Sequence, residues 1–221
     1  MRKKLTKAQN KFNNQLLISR YPFLLPRNDW TGEVSEDYDY EYTLLDEIPE
    51  GWRNAFGMIL MEELRKACLK THYLQKLRIM QIKEKFGQLR IYFSDAPREC
   101  QDIVNKYEII SEYVCIRCGK LDVPMMNDSW ISPYCKTCWT DMLKRQVKAS
   151  RKYSSKPVDE KAYLTENAWE NRAMNLDDCT IPDSYQYMRY NRQADTETTV
   201  TVDISETVRK IREWAKKKTD A

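Results

Sequence analysis

Two pairs of cysteines carry the chemistry most plainly written in this chain. Cys115-Ile-Arg-Cys118 and Cys135-Lys-Thr-Cys138 each hold two residues between their thiols, and sixteen residues separate the pairs. Each pair can present two sulfurs to one point, and sixteen residues suffice for a hairpin that brings the second pair back to the first. Four thiolates in a tetrahedron, at about 2.3 Å from the metal, are preferred surroundings for Zn. Gly119, directly after the first pair, suits a chain that must turn sharply around the sulfurs, because glycine tolerates positive φ. Four protein ligands close the coordination sphere and leave no place for water or substrate, so the expected role of the zinc is structural. Metal binding would then be part of folding, since an unfolded chain has no preformed site. A redox role fits less well, because neither pair sits in the βαβ setting of a thioredoxin-like motif.

The elements that must position these sulfurs follow from the apolar pattern. Trp52, Phe56, Leu60, Leu64 and Cys68 recur at helical spacing and predict a helix running to about Lys70. Residues 77–93 read as a β-hairpin, with Leu89, Ile91 and Phe93 on one face, Gly87 at the turn and a bulge in the first arm. A second helix follows, with Ser94 or Asp95 as its cap, Pro97 in its first turn, and Cys100, Val104, Tyr107 and Ile110 on its inner face. It leads into the first cysteine pair. Val123, Met125 and Met126, then Trp130 and Ile131, suggest short strands between the pairs; Trp139, Leu143 and Val147 suggest a helix after them. The C-terminal part ends in a strand over 198–204, a Ser205 cap and a short amphipathic helix through Val208, Ile211 and Trp214. That unit is too small for a core of its own, so it should add to the hairpin's sheet, to another subunit or to a partner.

The expected fold class is therefore α+β: helix, β-hairpin and helix feeding a four-cysteine zinc ribbon, with a C-terminal strand-helix unit. The expected division is a basic N-terminal tail over 1–20, an α+β domain over 21–112 and the ribbon over 113–143. A basic linker over 144–160, with Ser150, Ser154, Ser155 and Pro157, and a C-terminal extension over 161–221 complete it. The tail carries Arg2, Lys3, Lys4, Lys7 and Lys11 without an acid and reads as solvated chain or a frayed helix. Residues 28–50 hold nine carboxylates, among them Asp29, Asp37 and Asp39, and read as a solvated loop.

Composition narrows the function classes. With 221 residues and 42% apolar side chains the chain can build a real core. Its 37 basic and 33 acidic residues leave a net charge of +4, too small by itself to demand nucleic acid or a membrane. No apolar run reaches membrane-spanning length, and no export signal is recognisable. An intracellular, reducing setting is expected, with Cys68, Cys100 and Cys179 as ordinary thiols. A single histidine, His72, disfavours histidine-rich metal nucleases and Cys-His proteases, and is expected exposed at a helix end. Five glycines form no phosphate loop, and neither H-E-x-x-H nor G-x-S-x-G occurs. The expectation is a non-catalytic binding protein; an enzyme built on carboxylates such as Asp37 and Asp39 ranks behind it.

Two basic groups are candidates for phosphate contact. Lys83, Lys85 and Arg90 lie on the hairpin, and a basic β-ribbon can enter a groove of nucleic acid. Lys144, Arg145, Lys148, Arg151 and Lys152 lie beside the ribbon in a run without acids. Aromatics further on, Trp169, Tyr185, Tyr187 and Tyr190 beside Arg189 and Arg192, could stack bases or pack on the main domain.

A resemblance enters here. Tyr21-Pro-Phe-Leu-Leu-Pro-Arg-Asn, Trp30-Thr-Gly, Ile82-Lys-Glu-Lys-Phe-Gly-Gln-Leu-Arg90, the two cysteine pairs and Trp130-Ile-Ser resemble a group of uncharacterised phage and prophage zinc-ribbon proteins. These share an I-K-E-K-(F/Y)-G-x-L-R segment, and the resemblance spans about residues 21–140. It carries over no catalytic residue. It implies a phage protein made in the cytoplasm of a bacterial host, acting on a host or phage protein or nucleic acid, with inhibition of a host defence system among the candidates. A nucleic-acid-binding regulatory protein is the alternative.

Overall fold

The computed structural model describes residues 6–28, 30–128, 130–153, 156, 159–191 and 196–219. Arg2, Lys3, Lys4, Asp29, Ser154, Ser155, Pro157 and Arg192 lie outside the described residues, as do the side chains of Arg189 and Tyr190. The chain is α+β, and among the described residues its strands form three separate two-stranded antiparallel sheets.

The N-terminal basic segment is a docked helix from Lys7 onward. Thr6 and Gln9 form a reciprocal capping box, with hydrogen bonds of 2.9 and 3.2 Å, that opens α1 (Lys7–Arg20). Lys7 pairs with Glu41 and Lys11 with Asp39, so tail and acidic loop neutralise one another. Leu17 and Ile18 rest on the core, and a 3-10 turn (Pro22–Leu24) buries Phe23 and Leu24. Pro22 fits the first turn of that 3-10 element, and the chain becomes extended only at Leu25, before Pro26.

The central helix begins as α2 (Glu50–Trp52), widens into a π-helical stretch (Arg53–Gly57) and continues as α3 (Met58–Lys70). Trp52, Phe56, Leu60, Leu64 and Cys68 are all buried along it. His72 follows in the left-handed region at φ 56°, exposed just past the helix end.

β1 (Ile79–Lys85) and β2 (Gln88–Phe93) form the expected hairpin, with a register shift between Ile79 and Gln81 where the bulge falls. Phe86 and Gly87 both take positive φ, 53° and 80°. That is the two-residue turn whose twist matches the strands. α4 (Arg98–Ser111) starts at Pro97 with no side-chain cap. The expected cap Asp95 instead accepts a hydrogen bond from the Tyr73 hydroxyl. Cys68 on α3 and Cys100 on α4 meet in the core with their sulfurs 3.5 Å apart, both as free thiols.

β3 (Met125–Asp128) and β4 (Trp130–Pro133) pair between the cysteine pairs. α5 (Lys136–Tyr153) then runs eighteen residues through most of the expected linker. Trp139, Leu143 and Val147, one turn apart, bury its inner face and keep the helix going where charge alone suggested a linker. α6 (Glu160–Tyr163) is a single turn capped by Asp159.

The C-terminal strand does not join the hairpin's sheet. β5 (Ser184–Asn191) pairs with β6 (Thr196–Asp203) as a sheet of its own. Ile181, Ile204, Val208 and Ile211 enter the same core as α3, α4 and the first hairpin, so the unit is completed within the chain. α7 (Ser205–Thr219) starts under Asp203, whose Oδ1 accepts from the Ser205 amide at 2.9 Å; Ser205 is not the cap.

A partly buried ion pair fastens α7 to the segment between the cysteine pairs. Asp122, at φ 55°, receives Arg212 through both carboxylate oxygens at 2.6 and 2.9 Å and the Ile181 amide at 3.0 Å. Burial alone would raise the Asp122 carboxyl, but Arg212 and the Ile181 amide outweigh it and hold it below its ordinary value. Its stabilising contribution is therefore complete above the unfolded value of about 3.9 and is lost as pH falls through the lower folded value. Asp122→Ala is expected to lower stability by about 1–2 kcal/mol, a modest figure because the pair is about one-third exposed. Urea unfolding from pH 7 to pH 2 checks both the size and the sign.

Candidate metal centre

The first cysteine pair is shaped by a tight knuckle after α4. The Cys115 amide donates to Lys120 O at 2.8 Å, and the Gly119 amide donates to Cys115 O at 2.9 Å. Gly119 sits at φ 81°, the conformation for which the sequence supplies a glycine. The Ile116 amide donates to Pro133 O at 3.0 Å and ties the knuckle to the end of β4. The second pair lies at the entrance to α5, where the Trp139 amide donates to Cys135 O at 3.0 Å. There the Cys138 amide donates to the Cys135 sulfur at 3.5 Å.

All four sulfurs, of Cys115, Cys118, Cys135 and Cys138, lie within 4.8 Å of one another. Cys118 and Cys135 approach to 3.7 Å. A tetrahedral zinc with bonds of about 2.3 Å needs sulfur separations of about 3.8 Å, so the cluster fits that ion with little adjustment. Cys115 and Cys135 are buried, Cys138 is half-buried and Cys118 is exposed. Burial pushes the Cys115 thiol up to about 11 and raises Cys138 further. Burial also opposes ionisation of Cys118, but the Lys120 amide and the neighbouring thiols outweigh it and lower that thiol. Four thiolates packed this closely repel one another, and holding all four charges requires a cation at their centre. Among the described residues these four form the one group of three or more His, Cys, Asp or Glu side chains placed to share an ion.

Backbone contacts lock this centre to the rest of the fold. The Gly51 amide donates to Ile116 O at 2.9 Å, and the Trp52 indole donates to Val114 O at 2.8 Å. A β-carbon on Gly51 would stand 2.2 Å from Cys115 O. On the other side, a β-carbon on Gly87 at the hairpin turn would stand 2.5 Å from the Met125 sulfur, and the Trp130 indole donates to Glu84 at 3.1 Å. In the sequence, Pro49-Glu50-Gly51 reads only as punctuation at the end of the acidic loop. The missed signal was a glycine inside a helix, which costs about 1 kcal/mol and marks a close approach.

The predicted nucleic-acid residues separate into two sets. Lys144, Arg145, Lys148, Arg151 and Lys152 fall at helical spacing on one exposed face of α5, away from Trp139, Leu143 and Val147. Arg151 pairs with Glu160 at 2.7 Å, and Lys152 lies over the Tyr153 ring. Lys144, Arg145 and Lys148 have no ion-pair partner among the described residues. On the hairpin, Arg90 is bound to Glu108 at 2.5 Å and to Gln88, while Lys83 and Lys85 lie over Tyr92 and Phe86. Arg90 of the hairpin set and Arg151 of the α5 set are thus engaged in ion pairs, while Lys83, Lys85, Lys144, Arg145, Lys148 and Lys152 have no ion-pair partner among the described residues.

The acidic loop is likewise used in structure. Asp39 and Glu41 hold α1, Asp46 holds Arg53, and Glu47 accepts the Ile82 amide at 3.2 Å. Among the described residues no helix is long and apolar enough to cross a membrane. No family model, no curated protein and no solved structure matches the chain, so the meaning of its metal centre has to come from these residues themselves.

Proposed function

We propose that the protein is a non-catalytic zinc-ribbon binding protein whose target is nucleic acid. The zinc would be held by Cys115, Cys118, Cys135 and Cys138 as a structural ion that fixes the start of α5. The observation that carries the nucleic-acid reading is the α5 face itself. Its cations recur every three to four residues, so they project from one side, and Lys144, Arg145 and Lys148 have no ion-pair partner among the described residues. The resemblance to phage and prophage proteins supports a bacterial cytoplasmic setting, with host or phage nucleic acid and the machinery working on it as the target, a host defence included.

Replacing Lys144, Arg145, Lys148 and Arg151 together by Gln is expected to reduce DNA or RNA affinity at least tenfold. The slope of log K against log salt should also fall by about 3–4, close to one unit for each phosphate contact removed. Binding that is absent, or indifferent to salt, removes the proposal.

A protein target is the second reading, and one observation favours it. Trp30 is 96% exposed on a turn closed by Asn28, whose Oδ1 accepts the Trp30 and Thr31 amides at 2.8 and 3.0 Å. Glu33, Glu36 and Asp37 nearby in the chain have no ion-pair partner among the described residues. An aromatic anchor with an acidic rim suits a basic protein surface. Capture of the tagged protein with and without nuclease separates the two readings.

A further inference from the structure

The four sulfur-bearing residues of the metal centre are unequally shielded. Cys115 and Cys135 are buried and Cys138 is half-buried, but Cys118 is exposed. Cys118 also lines a cavity of about 390 Å³ between the knuckle, the π-helical stretch and α7, together with Ala55, Lys120, Leu121, Ala215 and Lys218. We propose that Cys118 is an oxidation site, at which a small organic hydroperoxide received in this cavity joins Cys118 to Cys135 as a disulfide and opens the metal centre. This site rests on the zinc assignment and is independent of what α5 binds.

The cavity suits that reagent. Its volume falls in the range of small-molecule sites, and Ala55, Leu121 and Ala215 give it apolar walls for an alkyl or aryl group. Among the described residues that line it none is a carboxylate, and its charged groups are the ammonium groups of Lys120 and Lys218. Lys218 is held at the wall, donating to Asn54 O at 2.6 Å and lying over the Trp214 ring. A cationic wall favours the thiolate that reacts and steadies the alkoxide that leaves. The partner sulfur is at hand, since Cys118 and Cys135 approach to 3.7 Å. Cys135 itself is buried, so it meets the oxidised Cys118 rather than the oxidant. Cys68 and Cys100, the other close pair, are fully buried in the core and lack such an entrance.

The Cys118 thiolate attacks the terminal oxygen of the hydroperoxide. The S–O bond forms, the O–O bond breaks, and the departing alkoxide takes a proton from water, leaving a sulfenic acid. The Cys135 thiolate then attacks the Cys118 sulfur; the S–S bond forms, the S–O bond breaks, and hydroxide leaves and is protonated to water. Two thiolates give up two electrons, and the hydroperoxide takes them up as it becomes an alcohol. Cys115 and Cys138 alone then remain as thiolates, half of the set that a structural zinc site requires.

The test treats the full-length, zinc-loaded protein with an equimolar amount of cumene hydroperoxide. A chromophoric chelator follows released zinc, and mass spectrometry after blocking with N-ethylmaleimide maps the thiols. Zinc release is expected in step with a Cys118–Cys135 disulfide, with Cys115 and Cys138 recovered as maleimide adducts. Cumene hydroperoxide is expected to act faster than hydrogen peroxide at equal concentration. Ala215→Leu, which narrows the cavity from α7, is expected to slow release about fivefold with the starting zinc content unchanged. Zinc retained with all thiols intact, a disulfide between other cysteines, hydrogen peroxide as the faster oxidant, or release untouched by Ala215→Leu overturns the oxidation site while leaving the zinc centre standing. Protein that carries no zinc before treatment removes the zinc assignment and the oxidation site with it.

Discussion

Replacing Cys115 by serine, or removing the metal with a chelator, is expected to unfold the middle of the chain. Cys115 is fully buried, and its knuckle touches α2 by backbone contacts on both sides of Gly51. The β3–β4 pair is a two-stranded ribbon, which is marginal in water without other support. The small cluster of Met126, Trp139, Leu143 and Ala168 behind it offers little apolar burial to replace that support. Zinc in a four-thiolate site supplies an apparent ~10–16 kcal/mol at neutral pH, and that free energy is available only to the folded segment. The Cys115→Ser protein should purify without stoichiometric zinc, and its tryptophan emission should shift to the red as buried Trp52 and Trp139 meet water. Cys179→Ser is the control. Cys179 is half-buried and its thiol donates to Asp122 O at 3.6 Å, outside the cluster, so zinc content should not change. A folded Cys115→Ser protein that keeps its zinc would contradict the assignment.

Gly51→Ala is expected to be the most damaging single change that leaves every metal ligand in place. The added methyl would meet Cys115 O at 2.2 Å and Ile116 C at 2.5 Å. Both are backbone atoms of the knuckle, so no side chain can swing aside. Either α2 or the metal-binding loop must move, and movement breaks the 2.9 Å hydrogen bond from Gly51 to Ile116 and strains that from Trp52 to Val114. A loss of about 3–5 kcal/mol is expected, in the range reserved for overpacking and broken buried networks. Gly32→Ala provides the contrast. Gly32, unlike Gly51, has positive φ, 72°, but open space surrounds its β-carbon position, so only the backbone strain of about 1–2 kcal/mol applies. Urea unfolding of both variants, followed by zinc competition with a chromophoric chelator, measures the difference. Equal effects at the two glycines would mean that the knuckle does not rest on α2.

Much of the metal centre was legible because its determinants are local. Two cysteine pairs, a glycine after the first and short apolar runs between them specify a knuckle, a ribbon and a helix start within a few tens of residues. The hairpin was legible for the same reason, since Phe86-Gly87 and the alternation of Leu89 and Ile91 act over neighbouring positions. What escaped was set by contacts distant in sequence. Ser150 and the basic residues around it suggested a linker, but Leu143 and Val147 pack inward and extend the helix to Tyr153. The strand over 184–191 was hidden because Tyr185 and Tyr187 alternate with polar residues and no aliphatic marks a buried face. Its pairing with β6, and the burial of Ile204 and Ile211 against α3 and α4, could not be seen from either segment alone. The basic residues of 1–20 and the acids of 28–50 were each read as solvated, although from Lys7 and Lys11 they serve as each other's partners.

The most direct measurement is X-ray absorption at the zinc edge of freshly purified protein. The expected result is one zinc per chain surrounded by four sulfur scatterers at about 2.3 Å and no lighter ligand. A shell containing nitrogen or oxygen at about 2.0 Å, or the absence of stoichiometric zinc, would contradict a site closed by Cys115, Cys118, Cys135 and Cys138.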